Sequence, residues 1–136
     1  MRTILVAAGI LVEAGRVLLT QRKRGTHLED LWEFPGGKCE EGEDPKAALV
    51  RELREEVGIE VAVGDPVCIT FHRYDDVGKC VLLLFFEVTR QTSAEPRAID
   101  VAAVKWAGAG DLEASKFPPA DVEVLTKVRA RLSLGR

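Results

Sequence analysis

Three glutamates near the middle of the chain could hold a metal ion between them. Glu52, Glu55 and Glu56 stand at positions i, i+3 and i+4 of the run "RELREE". In a helix this spacing puts the three carboxylates on one face, within reach of a common point. Like charges at this spacing repel one another, and a divalent cation between them removes the repulsion. Because all the ligands are oxygens, the pattern favours Mg²⁺ or Mn²⁺ over zinc.

The same glutamates also have an ordinary explanation as surface residues. A glutamate on a helix is usually solvated, and Arg51 with Glu55 forms an i,i+4 ion pair. Arg51 is also expected to pair with Glu43 or another nearby carboxylate and so hold the preceding loop on the helix. That loop favours the metal site, because "PGGK", residues 35–38, combines one positive charge with glycines that let the backbone approach a ligand. Such a loop commonly binds polyphosphate.

The carboxylates need a helix to position them, and the sequence marks both ends of one. Asp44 is a good N-cap, Pro45 suits the first helical position, and Gly58 stands just past the end. The sequence therefore predicts a helix over residues 45–57. Its apolar side chains fall on one side and are expected to pack on a sheet: Leu49, Val50, Leu53 and Val57.

The other segments show strand and helix patterns in turn. Residues 1–21 are expected to form a hairpin around "EAG", and "WEF" is a short strand that Pro35 ends. Two longer strands follow, "IEVAVGDPVCITFHRYDD" and the very apolar "KCVLLLFFEVTR", and then a short strand in "VAAVKWA". A second helix is expected in "PPADVEVLTKVRARL", with an inner face of Val122, Leu125 and Val128. The expected architecture is one α/β domain, a mixed sheet flanked by helices.

Composition and charge exclude several classes of protein. Of the 136 residues, 46% are hydrophobic and 30% charged, which fits one globular domain and not a disordered chain. A net charge of −3 gives no global attraction to a nucleic acid polymer or a membrane. Three cysteines without a CxxC pair argue against a disulfide framework or a zinc site and indicate a reducing cytoplasm. The start "MRTILVAAGILV" could pass for a signal peptide, but the hairpin explains it better, and no span is long enough to cross a bilayer.

The run "GKCEEGEDPKAALVRELREEVGI", residues 37–59, resembles the Nudix box at every position that the signature fixes. These positions are a glycine, a glutamate after five residues and, after seven more, Arg-Glu-aliphatic-x-Glu-Glu-x-Gly-aliphatic. The resemblance implies a Nudix fold, an α/β/α sandwich, with residues 1–136 as a single domain. It also implies an enzyme that hydrolyses nucleoside diphosphates linked to another group, with Mg²⁺ or Mn²⁺ as cofactor.

Three further segments, "TQRKRGTH", "LWEFPGGK" and "FPPAD", resemble the MutT-like branch of this family. Enzymes of that branch hydrolyse nucleoside triphosphates and remove 8-oxo-dGTP from the nucleotide pool, which prevents mutation. The resemblance implies that water attacks the β-phosphorus and releases a nucleoside monophosphate and pyrophosphate. It implies a monomer or homodimer acting on free nucleotide in the cytoplasm. Two alternatives stay open, a pyrophosphohydrolase of CTP, dCTP or 5-methyl-dCTP and a nucleotide-binding module without catalysis.

The resemblance also assigns the metal ligands and the catalytic base. Glu52, Glu55 and Glu56 are expected to bind the metal ions, together with the backbone carbonyl of Gly36. Asp100 lies six positions before the tryptophan of a later strand, where family members usually carry glutamate. Asp100 is expected to bind the metal or to act as a base. The alternative is that it is only a residue at the edge of a strand, without a role in the site. Glu52 or Glu55 is expected to be the base ahead of Asp100.

Nucleotide contacts are expected mainly from residues before and inside the box: Arg22, His27, Glu33, Phe34, Pro35, Gly36 and Lys38. The choice of base is expected to depend on Asp121, where MutT has asparagine. An ionised aspartate only accepts hydrogen bonds, from N1–H and the 2-amino group of a purine or from the 4-amino group of cytosine. The alternative role for Asp121 is to cap the last helix. Phe34, Phe71 and Phe86 could flank a base or belong to the core.

Overall fold

The structure, a computed structural model, describes residues 1–134. In this part of the chain it has eight strands and two α-helices: β1 (Arg2–Ile10), β2 (Val12–Glu13), β3 (Arg16–Gln21), β4 (Trp32–Glu33), β5 (Gly36–Lys38), α1 (Pro45–Val57), β6 (Val61–Tyr74), β7 (Lys79–Arg90), β8 (Ala103–Ala107) and α2 (Leu125–Ser133). Neither helix is long and apolar enough to cross a membrane.

The strands form two four-stranded sheets. In the first sheet the order is β5-β1-β7-β6, and β1 runs parallel to β7 from the pair Arg2–Lys79 to the pair Ile10–Glu87. The pairs β1–β5 and β6–β7 are antiparallel. The second sheet has the order β2-β3-β4, with β8 also paired to β3. The expected mixed sheet is confirmed.

The expected hairpin over residues 1–21 is wrong for β1. Within these residues only β2 and β3 form a hairpin, and its two-residue turn is Ala14-Gly15, with positive φ at both residues. β1 lies in the other sheet, between β5 and β7. Its last residues are buried on both faces, because Ala8 packs in one core cluster and Ala7 in the other. A strand that is buried on both faces needs other elements packed against each face, and one hairpin partner does not provide them.

Helix α1 has the bounds and the caps that the sequence predicts. The side chain of Asp44 accepts a hydrogen bond from the Lys46 N–H, and Gly58 takes the left-handed conformation that ends the helix, with φ of 71°. Its apolar face packs on one side of the first sheet. Leu49, Leu53 and Val57 are fully buried there, whereas Val50 is half-buried.

The second helix begins later than expected. Residues Pro119–Asp121 form a 3-10 turn, and α2 starts only at Leu125. Leu125 and Val128 are buried as predicted, but Val122 is exposed and Val124 takes the buried position. The capping role considered for Asp121 is wrong, because residue 124 precedes the helix and no side chain caps it. The prolines and the tight turn shift the helical face by several residues.

Candidate active site

Arg51 ties the loop before α1 to the helix. Its Nε and Nη2 donate to the two carboxylate oxygens of Glu43 at 2.9 Å each, and Nη2 also donates to the Lys38 carbonyl at 3.1 Å. Nη1 donates to Glu52 at 2.9 Å and to Glu55 at 3.2 Å. The hydrogen bonds from Arg51, followed by one from a backbone N–H, lower the pKa of Glu43 to about 2. The expected pairing of Arg51 with Glu43 is confirmed.

This geometry predicts that Arg51→Lys loosens the loop. A lysine cannot reproduce the planar fork that satisfies both oxygens of Glu43, so we expect the melting temperature at pH 7 to fall by about 5 °C. Arg54→Lys is the matched control, since Arg54 donates to Glu60 through two 2.7 Å hydrogen bonds on the exposed side of the same helix. It should change the melting temperature by about 1 °C or less. Equal losses in the two variants, measured by calorimetry, would contradict the role of Arg51.

The two glycines of the loop bring the backbone against two of the three glutamates. The Gly36 N–H donates to Oε1 of Glu56 at 3.2 Å. A Cβ added at Gly37 would lie 2.4 Å from the carboxylate carbon of Glu52, so this carboxylate occupies the space that a side chain would fill. The glycines therefore allow the loop and the helix to lie in direct contact.

The three carboxylates do not converge on a common point as expected. Glu52 and Glu55 turn toward Arg51, whereas Glu56 is buried against Gly36. Across residues 1–134, no group of three or more His, Cys, Asp or Glu side chains is arranged to hold a metal ion. The physical reason is that Arg51 is the positive charge in contact with two of the three carboxylates, and it neutralises them.

The donor set nevertheless suits a hard divalent cation. Burial first, and then the carboxylates of Glu33 and Glu52, raise the pKa of Glu56 to about 9, and Asp100 adds a smaller contribution. Such a group of mutually repelling oxygen donors is the kind that Mg²⁺ or Mn²⁺ binds. The residues therefore fit the cofactor that the sequence predicts, with Glu56 at the centre of the group.

Asp100 lies in a cleft that also reaches Glu56. The cleft has a volume of about 280 Å³, and Arg22 and Glu33 lie in its wall as well. The Asp100 carboxylate forms an ion pair with Lys23, and the Asp100 N–H donates to the Glu56 carbonyl at 3.1 Å. The structure thus brings Asp100 beside α1, with Lys23 as its partner.

A second cavity, of about 220 Å³, also reaches Glu56. Most of the expected nucleotide contacts lie in its walls: Arg22, His27, Glu33, Phe34, Gly36, Lys38 and Asp121. Pro35 is buried outside the walls, and its carbonyl accepts the Gly9 N–H at 2.8 Å. Glu52 and Glu55 also lie outside them. Sites for whole small molecules are usually about 300–1,000 Å³, so this cavity accommodates only part of a nucleotide.

Arg22 is held by protein groups at the cavity. Its Nη1 donates to both oxygens of Glu33 at 3.2 and 3.3 Å, and its Nε donates to the His27 carbonyl at 2.8 Å. Burial raises the pKa of Glu33, and Arg22 offsets part of this effect. The His27 ring lies 2.9 Å from the Asp76 carboxylate and packs edge-on against Tyr74. Arg22 therefore sets the shape of this wall.

Asp121 is the buried acid of the cavity. Its exposed fraction is 4%. Burial first, and then the Glu33 carboxylate, raise the pKa of Asp121 well above its usual range, although a hydrogen bond from the Phe34 backbone acts in the opposite direction. Asp121 therefore keeps its proton to higher pH than an exposed aspartate, and a protonated carboxyl donates as well as accepts.

The three phenylalanines named as candidates to flank a base differ in position. Phe34 is a core residue that also lines the cavity, with its ring 5.9 Å from Phe85 and 5.7 Å from Phe117. Phe86 is buried in the cluster under α1. Phe71 is 59% exposed and does not line the cavity. Of the three, only Phe34 is placed to meet a base.

The family follows from the whole length of the chain. The sequence of residues 2–128 matches the family model of the NUDIX domain. This chain belongs to the Nudix family. Glu52, Glu55 and Glu56 are thus Nudix-box residues, and in this protein the box comprises the end of the short Gly36–Lys38 strand, the loop that follows it and α1.

Two relatives of this Nudix protein are equally similar to it but differ in the substrate that their names give. One is the 8-oxo-dGTP diphosphatase of Haemophilus influenzae, 36% identical over 128 residues, which are 93% of this chain and 92% of that protein. The other is the CTP pyrophosphohydrolase of Escherichia coli, 36% identical over 125 residues, 92% of this chain and 90% of that protein. Among solved structures, a MutT NUDIX hydrolase from Burkholderia pseudomallei is 27% identical, with a TM-score of 0.82 over 94% of this chain and 99% of that one.

Two polar residues that line the cavity of this Nudix protein, Lys79 and Tyr74, were not predicted from the sequence. Lys79 opens β7 beside Lys38, and desolvation first, then the charge of Lys38, lower its pKa. Its position as a lone cation at the start of an apolar strand was a usable signal. Tyr74 lies at the end of β6, and its hydroxyl accepts the Ala120 N–H at 3.2 Å. This contact links residues 46 positions apart, and nothing local in the sequence indicates it.

Proposed function

We propose that this Nudix protein hydrolyses 8-oxo-dGTP to 8-oxo-dGMP and pyrophosphate. One observation carries the proposal: a single cavity is lined by a buried acid, Asp121, by the box residues Lys38 and Glu56, and by Gly36 just before the box. A base held near Asp121 places its phosphates against the box. The substrate is supported by the 8-oxo-dGTP diphosphatases of H. influenzae and E. coli, which match over more than nine-tenths of the chain.

The proposed cofactor is Mg²⁺, with Mn²⁺ as a substitute, bound by Glu52, Glu55, Glu56 and the Gly36 carbonyl. When bound, it neutralises phosphate oxygens and lowers the pKa of the attacking water. Lys38, exposed beside the cavity, adds positive charge for the phosphates. Glu52 or Glu55 accepts the proton of the water.

Asp100 is the alternative base. It lies in the same cleft as Glu56, and it becomes available for a proton or a cation only when its carboxylate leaves Lys23. Glu52 and Glu55 meet the same requirement, because their carboxylates contact Arg51, so the ion pairs alone do not rank the three candidates.

The base contact is proposed for Asp121. A raised pKa favours the protonated carboxyl, and in that form Asp121 offers a donor O–H and an acceptor oxygen, the two functions that asparagine offers in MutT. A purine edge that carries O6 and N1–H requires this combination. The same combination also matches N3 and the 4-amino group of cytosine, and this supports the second candidate, hydrolysis of CTP, dCTP or 5-methyl-dCTP.

A panel of nucleotides tests the proposal directly. With Mg²⁺ present, we expect kcat/KM for 8-oxo-dGTP to exceed that for dGTP, CTP, dCTP and 5-methyl-dCTP by at least about tenfold. In H₂¹⁸O the label should enter pyrophosphate, because water attacks the β-phosphorus. Faster turnover of a cytidine nucleotide than of 8-oxo-dGTP would replace the first candidate by the second. Binding without any turnover would favour the module without catalysis.

A cytoplasmic location is also proposed. All three cysteines of the chain, Cys39, Cys68 and Cys80, are free thiols in the structure. Free thiols of this kind persist in a reducing compartment.

A further inference from the structure

We infer that Thr70 and Tyr74 of β6 are positioning residues that set base discrimination by fixing the backbone in front of Asp121. The inference rests on the proposed function, because it assumes that Asp121 contacts the base. It assigns no catalytic role to either residue. Both act through the turn Pro118–Asp121.

Two side chains of one strand hold the two polar backbone groups of Ala120. The Thr70 hydroxyl donates to the Ala120 carbonyl at 2.7 Å, and the Tyr74 hydroxyl accepts the Ala120 N–H at 3.2 Å. The turn's own 3-10 hydrogen bonds use other groups, namely Asp121 N–H to the Pro118 carbonyl and Val122 N–H to the Pro119 carbonyl. The contacts from β6 therefore add to the turn's own hydrogen bonds.

Together these bonds fix two consecutive peptide planes. The peptide that joins Pro119 to Ala120 is held by Tyr74 at its N–H and by Val122 at its carbonyl. The peptide that joins Ala120 to Asp121 is held by Thr70 at its carbonyl and by the Pro118 carbonyl at its N–H. The Val122 N–H bond to the Pro119 carbonyl also holds the peptide that follows Asp121, so rotation about the Asp121 backbone is restricted and with it the direction of the side chain.

The two residues lie on the same face of β6, four positions apart, as alternation along a strand requires. Thr70, Tyr74 and Ala120 are all 7% exposed or less, so water does not compete for these bonds. Thr70 also pairs across the sheet with Leu83, a residue of the cavity wall. The turn that carries Asp121 and the sheet under the cavity are therefore joined through one strand.

Thr70→Val is the decisive variant, because valine keeps the shape of threonine and loses the hydroxyl. Thr70 does not line the cavity, so the change removes no contact to a nucleotide. The measurements are kcat and KM for the preferred base of the wild-type protein and for the next-best base of the panel. Calorimetric binding of the two corresponding nucleoside monophosphates gives a second readout that does not need turnover.

We expect the ratio of kcat/KM between the two bases to fall roughly tenfold in Thr70→Val, mainly through KM for the preferred base, because small displacements of a recognition group weaken discrimination strongly. Tyr74→Phe should shift the ratio in the same direction, and Thr70→Ser, which keeps the hydroxyl, should restore the wild-type ratio. Thr89→Val, on the exposed side of β7, is the matched control and should leave kcat/KM unchanged for the nucleotides of both bases.

The inference is overturned if Thr70→Val lowers the melting temperature while the ratio of the two bases stays unchanged. It is also overturned if Thr70→Ser is as damaging as Thr70→Val, since packing and not the hydrogen bond would then be responsible. A wild-type protein without turnover on the whole panel would refute the proposed function instead. In that case the monophosphate affinities of the variants still show whether β6 governs the choice of base.

Discussion

Glu56→Gln is expected to reduce turnover roughly 1,000-fold while the protein keeps its fold. Glutamine keeps the shape and the acceptor oxygen for the Gly36 N–H, so the contact between loop and helix survives. It lacks the charge that a divalent cation requires at the centre of the carboxylate group. Steady-state turnover with Mg²⁺ and Mn²⁺ binding by electron paramagnetic resonance would both report the loss.

The same substitution should stabilise the metal-free protein at alkaline pH. The pKa of Glu56 rises from 4.5 to about 9 on folding, so between these values the folded chain holds a proton that the unfolded chain releases. Stability is therefore lost as the pH rises through this window, and glutamine removes the loss. In EDTA at pH 8 we expect the variant to melt about 5 °C above the wild type, with a smaller difference at pH 5.

Glu60→Gln provides the control for these measurements. Glu60 is partly exposed, pairs with Arg54 and lies away from both cavities. Its loss should change turnover by no more than about twofold. Unchanged turnover in Glu56→Gln would remove Glu56 from the metal assignment, and a stability difference that does not depend on pH would contradict the raised pKa.

Gly36, just before the box, and Gly37, its first residue, are expected to respond differently when each is replaced by alanine. At Gly37 the new Cβ meets the end of the Glu52 side chain, which can move, so the fold should survive while the carboxylate is displaced and turnover falls about 100-fold. At Gly36 the new Cβ would lie 2.0 Å from the Ala7 carbonyl oxygen and 2.7 Å from the Cα of Ala8. The backbone of a buried strand cannot move as easily as the end of a side chain, so Gly36→Ala should unfold or strongly destabilise the protein.

Thermal melts and turnover of the two variants separate these outcomes. Gly108→Ala is a suitable control, since a Cβ there meets nothing within 4 Å and the backbone is already extended. It should behave as the wild type in both assays. A Gly37→Ala protein with full activity would show that the position of the Glu52 carboxylate does not matter for the reaction.

Where the signals are local, the sequence predicts the structure residue by residue. The bounds of α1 follow from Asp44, Pro45 and Gly58, because caps act within one turn of the helix. The pairing of Arg51 with Glu43 is also accessible, since both belong to one loop-helix unit. Most of the residues that the family resemblance names as nucleotide contacts line one cavity in the structure, and their role as contacts stays a prediction.

Contacts between distant segments account for what the sequence did not predict. β1 leaves the expected hairpin because its partner, β7, lies far along the chain. The turn before α2, which carries Asp121, is held by Thr70 and Tyr74 of β6, and these contacts join residues 50 and 46 positions apart. Two carboxylates of the box, those of Glu52 and Glu55, turn toward Arg51 in a balance of charges that spacing alone does not determine.

The parallel pairing of β1 with β7 has a consequence for the order in which the protein assembles. Its first pair joins Arg2 to Lys79, so β1 has no neighbour on that side until β7 has been synthesised. Helix α1, with its own caps, can form much earlier. Non-local strand pairing of this kind slows folding, and the closure of β1 on β7 is expected to limit the refolding rate. The cavity beside the carboxylate helix is therefore expected to be complete only after β1 has closed on β7.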